Sequence, residues 1–388
     1  MKTFPFERDK VHDVLQPLTE AKTFPVQAFV DPALFAWERQ HFFSAEWQCV
    51  GRVEDVATPG SWFLAPVTDA GILIACGTDL RIRAYHNVCP HRANLIVHGG
   101  ATAGRAPRWR CSYHGWSFQL DGSLRFAPFT QKLKGFVPAN FGLRRVRCDT
   151  WNGFVFVNLG VEPPPLAGGL GAIPPLLRRL RLDALRRGRK VSYEVRANWK
   201  LMVENFQESH HFVLVHPELE AITPWADSSS FVSDGPWLGG TMAIIEEAET
   251  VSTDARRHDR PFLMGTQPDE RRKVFDFYCF PNLLMSVQPD YLLTYRYFPK
   301  AVDRTLVVAE TFFHPAALHD DFDPLDVYEF WDRTNGQDRD VCERQQIAIG
   351  SGGFDRGRYA TCEDGMHAFD RLVARRYLEF MDAGGRTT

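Results

Sequence analysis

The sequence lacks the features that would indicate a nucleic-acid-binding, secreted or membrane-spanning protein. Its net charge is −3, so there is no excess of basic residues to neutralise phosphates. No apolar run approaches the length of a membrane span, and the first residues lack the apolar core of a signal peptide. These absences predict a cytoplasmic protein that binds neither nucleic acid nor a membrane.

Two further absences concern cofactors and cross-links. No Gly-x-Gly-x-x-Gly fingerprint opens a helix, so the sequence predicts no flavin or nicotinamide site of its own. A cytosolic chain of 388 residues is not expected to use its eight cysteines as a disulfide framework. Six of them stand alone and are interpreted as small buried side chains. Cys89 and Cys111 differ, because each lies close to a histidine.

The pattern of the first half of the chain predicts a small β domain. Residues 1–45 contain a helix that begins at Asp31 and Pro32, and this segment is expected to pack on the C-terminal domain. Residues 46–160 are short strands separated by turns such as Asn152-Gly153, which predicts an antiparallel β domain.

Residues 161–388 are predicted to form a second domain of the α+β class. Its start is rich in proline and glycine and indicates a linker. The Arg/Leu-rich residues that follow, up to Arg189, are interpreted as a solvated helix face. Beyond them, strands alternate with helices predicted at residues 198–212, 324–349 and 363–384, which is typical of an antiparallel sheet with helices.

The β domain contains two Cys/His pairs that could share a metal centre. Cys89-Pro-His91 and Cys111-Ser-Tyr-His114 supply two thiolates and two imidazoles. Four such ligands suit either a structural zinc or a two-iron cluster. Zinc sites more often show Cys-x₂₋₄-Cys followed by His-x₃₋₅-His, so this order favours a Rieske [2Fe–2S] centre.

A second constellation lies about a hundred residues further on. Glu204, Glu208 and His211 are spaced i, i+4, i+7 and would share one face of a helix. His216 can meet His211 at one atom only if the helix loosens or ends before Pro217. Alone, such a histidine pair is more often structural. With one carboxylate from elsewhere it would form the 2-His-1-carboxylate face that holds Fe(II).

With both motifs considered together, the chain resembles the α subunit of Rieske non-heme iron oxygenases, the ring-hydroxylating oxygenase family, along nearly its whole length. The resemblance implies an N-terminal antiparallel β Rieske domain and a catalytic domain of the helix-grip, START-like type, with an antiparallel sheet flanked by helices. It implies that Cys89 and Cys111 hold one iron of the cluster and that His91 and His114 hold the other.

The resemblance also extends to the catalytic iron. It implies that His211 and His216 bind this iron and that Asn205 lies beside it. The run from Gln337 to Gln346 resembles the family's Glu-Asp-x₃-Cys-Glu-x₂-Gln, which implies Asp338 as the third ligand, with Asp340 as the alternative.

Glu208 stands where the family usually has an aspartate that bridges the two metal sites. Together with Asn198-Trp199-Lys200-Leu201 and Phe280-Pro281-Asn282, this glutamate is similar to the branch that oxidises choline, glycine betaine and carnitine. The chain departs from the family pattern at three places, and the last two of them leave the substrate open. The three places are an expected insertion around Gly99–Pro107, Ser209-His210-His211-Phe212 around the first iron ligand, and Ile347-Ala348 after the last motif.

The function expected from this resemblance is that of a terminal oxygenase. It would use its cluster, Fe(II) and O2, with electrons from NAD(P)H delivered by a separate flavin/iron–sulfur reductase or a ferredoxin. The expected reaction is hydroxylation of a small organic molecule, in particular N-demethylation of a quaternary ammonium compound. The alternatives are hydroxylation or dihydroxylation of an aromatic or natural-product scaffold, a Rieske electron carrier and a zinc-stabilised interaction protein.

The resemblance further implies a head-to-tail homotrimer or a multiple of it. In such a ring the cluster of one subunit would face the catalytic iron of the next. Glu208 would lie at that interface and join a cluster histidine of one chain to an iron-ligand histidine of its own.

Overall fold

The computed structural model describes residues 4–231, 233, 235–319 and 321–382. The chain divides into two compact units. The β unit runs from Phe42 to Leu166, and the α+β unit combines the N-terminal residues up to His41 with the residues from Ala167 onward. Within the described residues, no helix is both long enough and apolar enough to cross a membrane.

The β unit consists of antiparallel strands in two sheets. One sheet has seven strands in the order β1-β10-β9-β4-β3-β2-β5, and the other has the order β6-β7-β8. The strands are β1 (Gln48–Arg52), β2 (Ser61–Ala65), β3 (Ile72–Cys76), β4 (Ile82–His86), β5 (Ala103–Arg105), β6 (Trp109–Arg110), β7 (Ser117–Phe118), β8 (Leu124–Phe126), β9 (Arg145–Trp151) and β10 (Phe154–Asn158).

The turn between β9 and β10 shows how local sequence sets the register of the larger sheet. Asn152 and Gly153 both have positive φ, 50° and 84°, which is the backbone that a two-residue hairpin loop of the primed type requires. Trp151 therefore pairs directly with Phe154. The expected insertion around Gly99–Pro107 contains β5, which pairs with β2 at the edge of the sheet.

The α+β unit is built on a second antiparallel sheet of seven strands. Their order is β11-β17-β16-β15-β14-β13-β12. The strands are β11 (Arg186–Val195), β12 (Ser229–Phe231), β13 (Trp237–Ala243), β14 (Lys273–Cys279), β15 (Leu283–Val287), β16 (Tyr291–Ala301) and β17 (Arg304–Phe313). The sequence did not predict β12 and β13.

Helices accompany this sheet. The α-helices of the chain are α1 (Arg8–Val14), α2 (Gln27–Val30), α3 (Pro32–Glu38), α4 (Leu166–Leu170), α5 (Ile173–Leu177), α6 (Trp199–Phe206), α7 (Phe212–Val215), α8 (Pro217–Glu220), α9 (Leu325–Ile349) and α10 (Asp364–Asp382). The 3₁₀ segments are Val53–Val56, Pro138–Phe141, Arg178–Leu180, Trp225–Asp227, Pro268–Glu270 and Pro315–Ala317, and Arg39–Phe43 is a π-helical turn. At the start of α3, the Asp31 carboxylate accepts hydrogen bonds from the backbone N–H groups of Ala33 and Leu34, the N-cap that the sequence predicts.

The prediction of a solvated helix face up to Arg189 holds only for the start of the Arg/Leu-rich run, where α5 ends at Leu177 and a 3₁₀ turn covers Arg178–Leu180. The last part of this run, from Arg186, is strand β11, which lies at one edge of the sheet. Charged side chains suit an edge strand because they oppose pairing with other chains. Arg187 forms an ion pair at 2.7 Å with the buried carboxylate of Glu310 on the neighbouring strand.

The helix predicted over residues 198–212 was also wrong, because α6 ends at Phe206. The side chain of Glu208 accepts a hydrogen bond from the backbone N–H of His211. Such a local side-chain acceptor competes with helix continuation. Glu208 and His211 therefore do not share a helix face with Glu204.

Glu204 instead faces a second buried carboxyl group, that of Asp370 on α10. Burial raises the pKa of Glu204 well above its ordinary value, and the neighbouring Asp370 raises it further. Burial also raises the pKa of Asp370 to about 7, although hydrogen bonds from Tyr359 and Glu204 oppose this. The pair therefore holds a proton between two carboxyl groups near neutral pH.

Replacing Glu204 by glutamine should flatten the dependence of stability on pH. Both folded-state pKa values exceed the ordinary ones of 4.5 and 3.8, so the folded chain binds more protons than the unfolded chain. The stability that the pair contributes is present at low pH and is lost as the pH rises from about 4 through 7. Thermal unfolding measured from pH 5 to pH 9 should show this fall in the wild type and a smaller fall in E204Q. The exposed control E194Q should keep the wild-type dependence of stability on pH. If E204Q also keeps the wild-type dependence, the raised pKa values of the Glu204–Asp370 pair are contradicted.

Candidate metal sites

Two loops of similar geometry present the Cys/His pairs of the β unit. In each loop the cysteine carbonyl accepts a hydrogen bond from the N–H four residues on, that of Ala93 after Cys89 and that of Gly115 after Cys111. Ala93 and Gly115 both have positive φ, 56° and 73°, which closes the turn. The sequence predicts this conformation at glycine, whereas Ala93 adopts it against the usual preference.

The four predicted cluster ligands lie together at the tips of these loops. Both cysteines are buried, and their thiols are within hydrogen-bonding reach of each other. The rings of His91 and His114 have centroids 4.7 Å apart, and the His91 ring stacks on Trp116 at the same distance. The two cysteines are therefore buried within the β unit, and the two histidines lie nearer its surface, where His91 is exposed.

The electrostatics and the polar atoms of the loops suit a bound metal cluster. Burial raises the pKa of Cys89 to about 11. The pKa of Cys111 is lowered, because hydrogen bonds from the Tyr113 backbone and from Cys89 outweigh the effect of burial. Nδ1 of His114 is buried and has no hydrogen-bond partner among the described residues. A buried nitrogen without a partner is costly, and ligation by a metal would satisfy it. The residues therefore fit a two-iron cluster.

In the α+β unit, three predicted ligands converge from two distant segments. His211 precedes α7, His216 follows it, and α8 begins at Pro217. Nε2 of His216 lies 2.8 Å from Oδ1 of Asp338, and Nε2 of His211 lies 3.5 Å from the same oxygen. The three ligand atoms all lie within 4.8 Å of one another. This is the donor set of a facial triad.

Each histidine of this triad is held through its other ring nitrogen. Nδ1 of His211 lies 2.5 Å from the Glu208 carboxylate, and Nδ1 of His216 lies 2.7 Å from the Gln337 side-chain oxygen. Both partners accept a hydrogen bond from Nδ1, so they keep the ring proton on that nitrogen. Nε2 of each histidine is then available to bind a metal. The donor set and its orientation therefore fit Fe(II).

The charges at the triad also favour a cation. Burial lowers the pKa of His211, but hydrogen bonds with Asp338 and Glu208 outweigh it and raise that pKa to about 9. The Asp338 side chain is 29% exposed, and the effect of its partial burial on the pKa is outweighed by hydrogen bonds from the two histidines, which lower the pKa. Anionic carboxylates thus draw positive charge to the histidines, which is the electrostatic role that a metal ion would take over.

The structure also shows where the other predicted residues lie relative to the triad. Asn205 borders the cleft beside the triad. Asp340, the alternative ligand, is exposed and forms an ion pair with Arg344 one helical turn along α9. His210 is exposed and packs edge-on against Trp225, so His211 is the histidine that faces Asp338.

A cleft of about 760 Å³ opens beside the triad. One face of the sheet supplies alternate residues of its strands, and α6, α7 and α9 close the other side. The aromatic residues that line it are Tyr193, Phe206, Phe212, Tyr295, Tyr297 and Trp331. Apolar and aromatic walls with a few convergent polar groups are typical of a small-molecule site.

Sequence reasoning gave no role to two residues that border the triad or its cleft. Gln337 was noticed only as part of a motif, although it fixes His216. Asp276 lies in an apolar strand without any motif around it, and it also lines the cleft. The only signal in the sequence for Gln337 is its position directly before Asp338, the predicted third ligand.

The β unit carries a ligand set of the two-iron type, and the α+β unit carries an Fe(II)-type triad beside a cleft. Together they define a class of protein: an oxygenase with its own electron-transfer centre. Residues 46–137 match the Rieske [2Fe-2S] domain, and residues 182–379 match the ring-hydroxylating α subunit (catalytic domain). The chain belongs to the family of Rieske non-heme iron oxygenase α subunits.

Curated relatives and solved structures agree with this family. The chain is 26% identical to the glycine betaine monooxygenase oxygenase subunit of Chromohalobacter salexigens, over 97% of this chain and 90% of that protein. It is 27% identical to the carnitine monooxygenase oxygenase subunit of Acinetobacter pittii, over 92% of this chain and 95% of that protein. Its fold is similar to that of a quaternary ammonium Rieske monooxygenase, with a TM-score of 0.79, 23% identity and coverage of 95% and 98%.

The protein is therefore an enzyme that uses a Rieske cluster, Fe(II) and O2. The predicted fold is confirmed, with a Rieske domain followed by a catalytic domain of helices and antiparallel sheet. The match to the catalytic-domain family decides against a simple electron carrier and against a zinc-stabilised interaction protein.

Proposed function

We propose that the enzyme removes an N-methyl group from a small quaternary ammonium compound by oxidation. The observation that carries this proposal is the cleft beside the triad, which combines six aromatic side chains with half-buried carboxylates. Aromatic faces attract a cation, and a desolvated cation gains more from them than an exposed one. The curated relatives, named for glycine betaine and carnitine, add support.

We propose specific ligands for the two metal centres. Cys89 and Cys111 would hold one iron of the cluster, and His91 and His114 the other. His211, His216 and Asp338 would hold Fe(II) through the three atoms that converge in the structure. When bound, the two centres supply electrons and activate dioxygen.

Residues around the triad keep it in one orientation. The Glu208 carboxylate accepts the Nδ1 proton of His211, and the Gln337 oxygen accepts that of His216. Outer partners of this kind fix the tautomer and the ring direction of a ligating histidine. Tyr295 is held in turn, because its hydroxyl donates to the Asn335 side chain at 2.7 Å.

The cleft walls would hold the substrate and exclude water. Val195, Met202 and Leu219 are buried and apolar and border the same space as the triad. A trimethylammonium group has no N–H, so it cannot donate a hydrogen bond to acceptors in the cleft as an amine with an N–H can. It is held instead by charge and by ring faces. Its methyl groups would then face the triad.

The products follow from the chemistry of the N-methyl group. Insertion of one oxygen atom into a methyl C–H bond gives a carbinolamine. Its C–N bond breaks as the hydroxyl proton leaves, so the nitrogen keeps the electron pair. The products are formaldehyde, a proton and the demethylated tertiary amine. The second oxygen atom of O2 leaves as water, with two electrons and two protons from outside.

Electrons are proposed to come from NAD(P)H through a separate reductase, since the sequence has no nucleotide fingerprint. We also propose that the chain assembles head-to-tail as a homotrimer. The structure of a quaternary ammonium Rieske monooxygenase with a similar fold gives insight into inter-subunit electron transfer in that protein. Glu208, already bonded to His211, would accept a further hydrogen bond from a cluster histidine of the next subunit.

A substrate screen tests the proposal. Reduced enzyme would be incubated with O2 and choline, glycine betaine or carnitine, or with neutral aromatic compounds, and products would be identified by mass spectrometry. Formaldehyde with the demethylated amine is expected from at least one cation. Hydroxylated or dihydroxylated aromatic products, with no demethylation of any cation, would support the alternative function.

A further inference from the structure

One carboxylate in the cleft is not used by the triad. Asp276 lies on β14, and its direct neighbours across the sheet are Gly240 on β13 and Ser286 on β15. Ser286 lines the same cleft, whereas Gly240 has no side chain. Small residues on both sides leave space next to the carboxylate, on the face of the sheet that carries Tyr295 and Tyr297 two strands away.

The carboxylate of Asp276 lacks a cationic partner among the described residues. Its Oδ1 is buried and accepts no hydrogen bond there. Burial raises its pKa to about 7, and the only opposing influence is a hydrogen bond from Ser286. The other two carboxylates of the cleft differ, because Glu208 and Asp338 are bonded to histidines.

Asp276 also borders a second cavity beside the cleft. A second cavity of about 900 Å³, lined by polar residues including Ser228, Ser229 and Thr241, shares Asp276 with the inner cleft. Apart from the two histidines of the triad, the basic side chain among the lining residues of the cleft is that of Arg339, which is exposed on α9. Of the two carboxylates that border both cavities, Glu208 is bonded to His211, whereas Asp276 has no such partner among the described residues.

We propose that Asp276 is the counter-ion of the substrate, selecting positively charged molecules and holding their ammonium group beside the aromatic walls of the cleft. This inference rests on the proposed function, since it needs a cationic substrate. It assigns charge selection to a specificity-determining residue that acts together with the rings. A buried carboxylate without a basic partner is costly when ionised, and a bound cation would remove that cost.

Binding of isosteric pairs tests this role. Choline would be compared with 3,3-dimethylbutan-1-ol, and glycine betaine with 3,3-dimethylbutanoate, because in each pair a carbon replaces the cationic nitrogen. Affinities would be measured by anaerobic calorimetry on the metal-loaded enzyme. The wild type should prefer the cationic member of at least one pair by about tenfold or more.

In D276N that preference should largely disappear, because asparagine keeps the shape and removes the charge. The rise in KM for the cation should exceed any fall in kcat, as expected when binding of the ground state is lost. D276E should restore part of the preference. The control D269N, which removes an exposed carboxylate outside the cleft, should retain the preference. If D276N does not yield folded protein with its cluster colour, D276S removes the same charge with a smaller side chain.

The outcomes separate the two proposals. A wild-type preference that persists unchanged in folded D276N or D276S would overturn the role of Asp276 and leave the proposed function standing. A wild type that binds cation and isostere equally in both pairs would overturn both. Loss of the preference in the neutral variants at position 276, with its retention in D269N, supports the assignment.

Discussion

Replacing Asp338 by alanine should abolish product formation while leaving the visible spectrum of the Rieske cluster unchanged. Oδ1 of Asp338 lies close to Nε2 of both His211 and His216, and it supplies the one anionic ligand of the set. Two neutral imidazoles alone hold Fe(II) weakly. The loss should exceed the roughly 10- to 100-fold effect of removing an outer partner of a metal ligand. Product formation and iron content would be measured on the same samples.

The matched control for this change is D340A. Asp340 lies two residues further along α9, is exposed and forms an ion pair with Arg344. It should keep most of its activity. Activity retained by D338A and lost by D340A would mean that the third ligand has been placed two residues too early.

Replacing Cys111 by serine should remove the visible colour of the cluster and all turnover. A serine hydroxyl is a much weaker ligand for iron than a thiolate, and Cys111 is the cysteine whose pKa the surroundings lower. Absorption spectra and sulfide content of the purified protein would show the loss. By contrast, H211A should keep the colour and lose activity, because His211 lies in the other unit.

C148S is the matched control, since Cys148 lies on β9 of the same unit and is half-buried. It should keep the colour and the activity. Visible absorption that survives in C111S would contradict the proposed cluster ligands.

The cluster loops could be predicted from the sequence because their information is local. Each Cys/His pair spans three or four residues, and Gly115 marks the turn that closes the second loop. The pairing of His211 and His216 was also predictable. Pro217 disfavours helical backbone at His216, so the helix is interrupted there and α8 begins at Pro217.

The third ligand shows where local information ends. Asp338 lies 122 residues from His216, and only packing of α9 against the cleft brings it there. Asp338 and Asp340 are about 200° apart around a helix, so only one of them can face the histidines. Periodicity does not say which one, and the choice came from the resemblance to a family.

Other errors have similar physical causes. The helix expected to reach residue 212 ends at Phe206, because the Glu208 side chain bonds to the backbone N–H of His211. The role of Asp276 depends on its neighbours across the sheet, Gly240 and Ser286, which belong to other strands. No pattern along a single strand reports such neighbours.

The most direct test of the proposed reaction uses a betaine or choline substrate whose three N-methyl groups carry deuterium. Turnover with O2 and reductant should give the tertiary amine that keeps two labelled N-methyl groups and has lost the third. It should also give an equal amount of formaldehyde that carries two deuterium atoms. Mass spectrometry would measure both. A product that keeps all three labelled methyl groups and has gained an oxygen atom elsewhere would contradict oxidative N-demethylation.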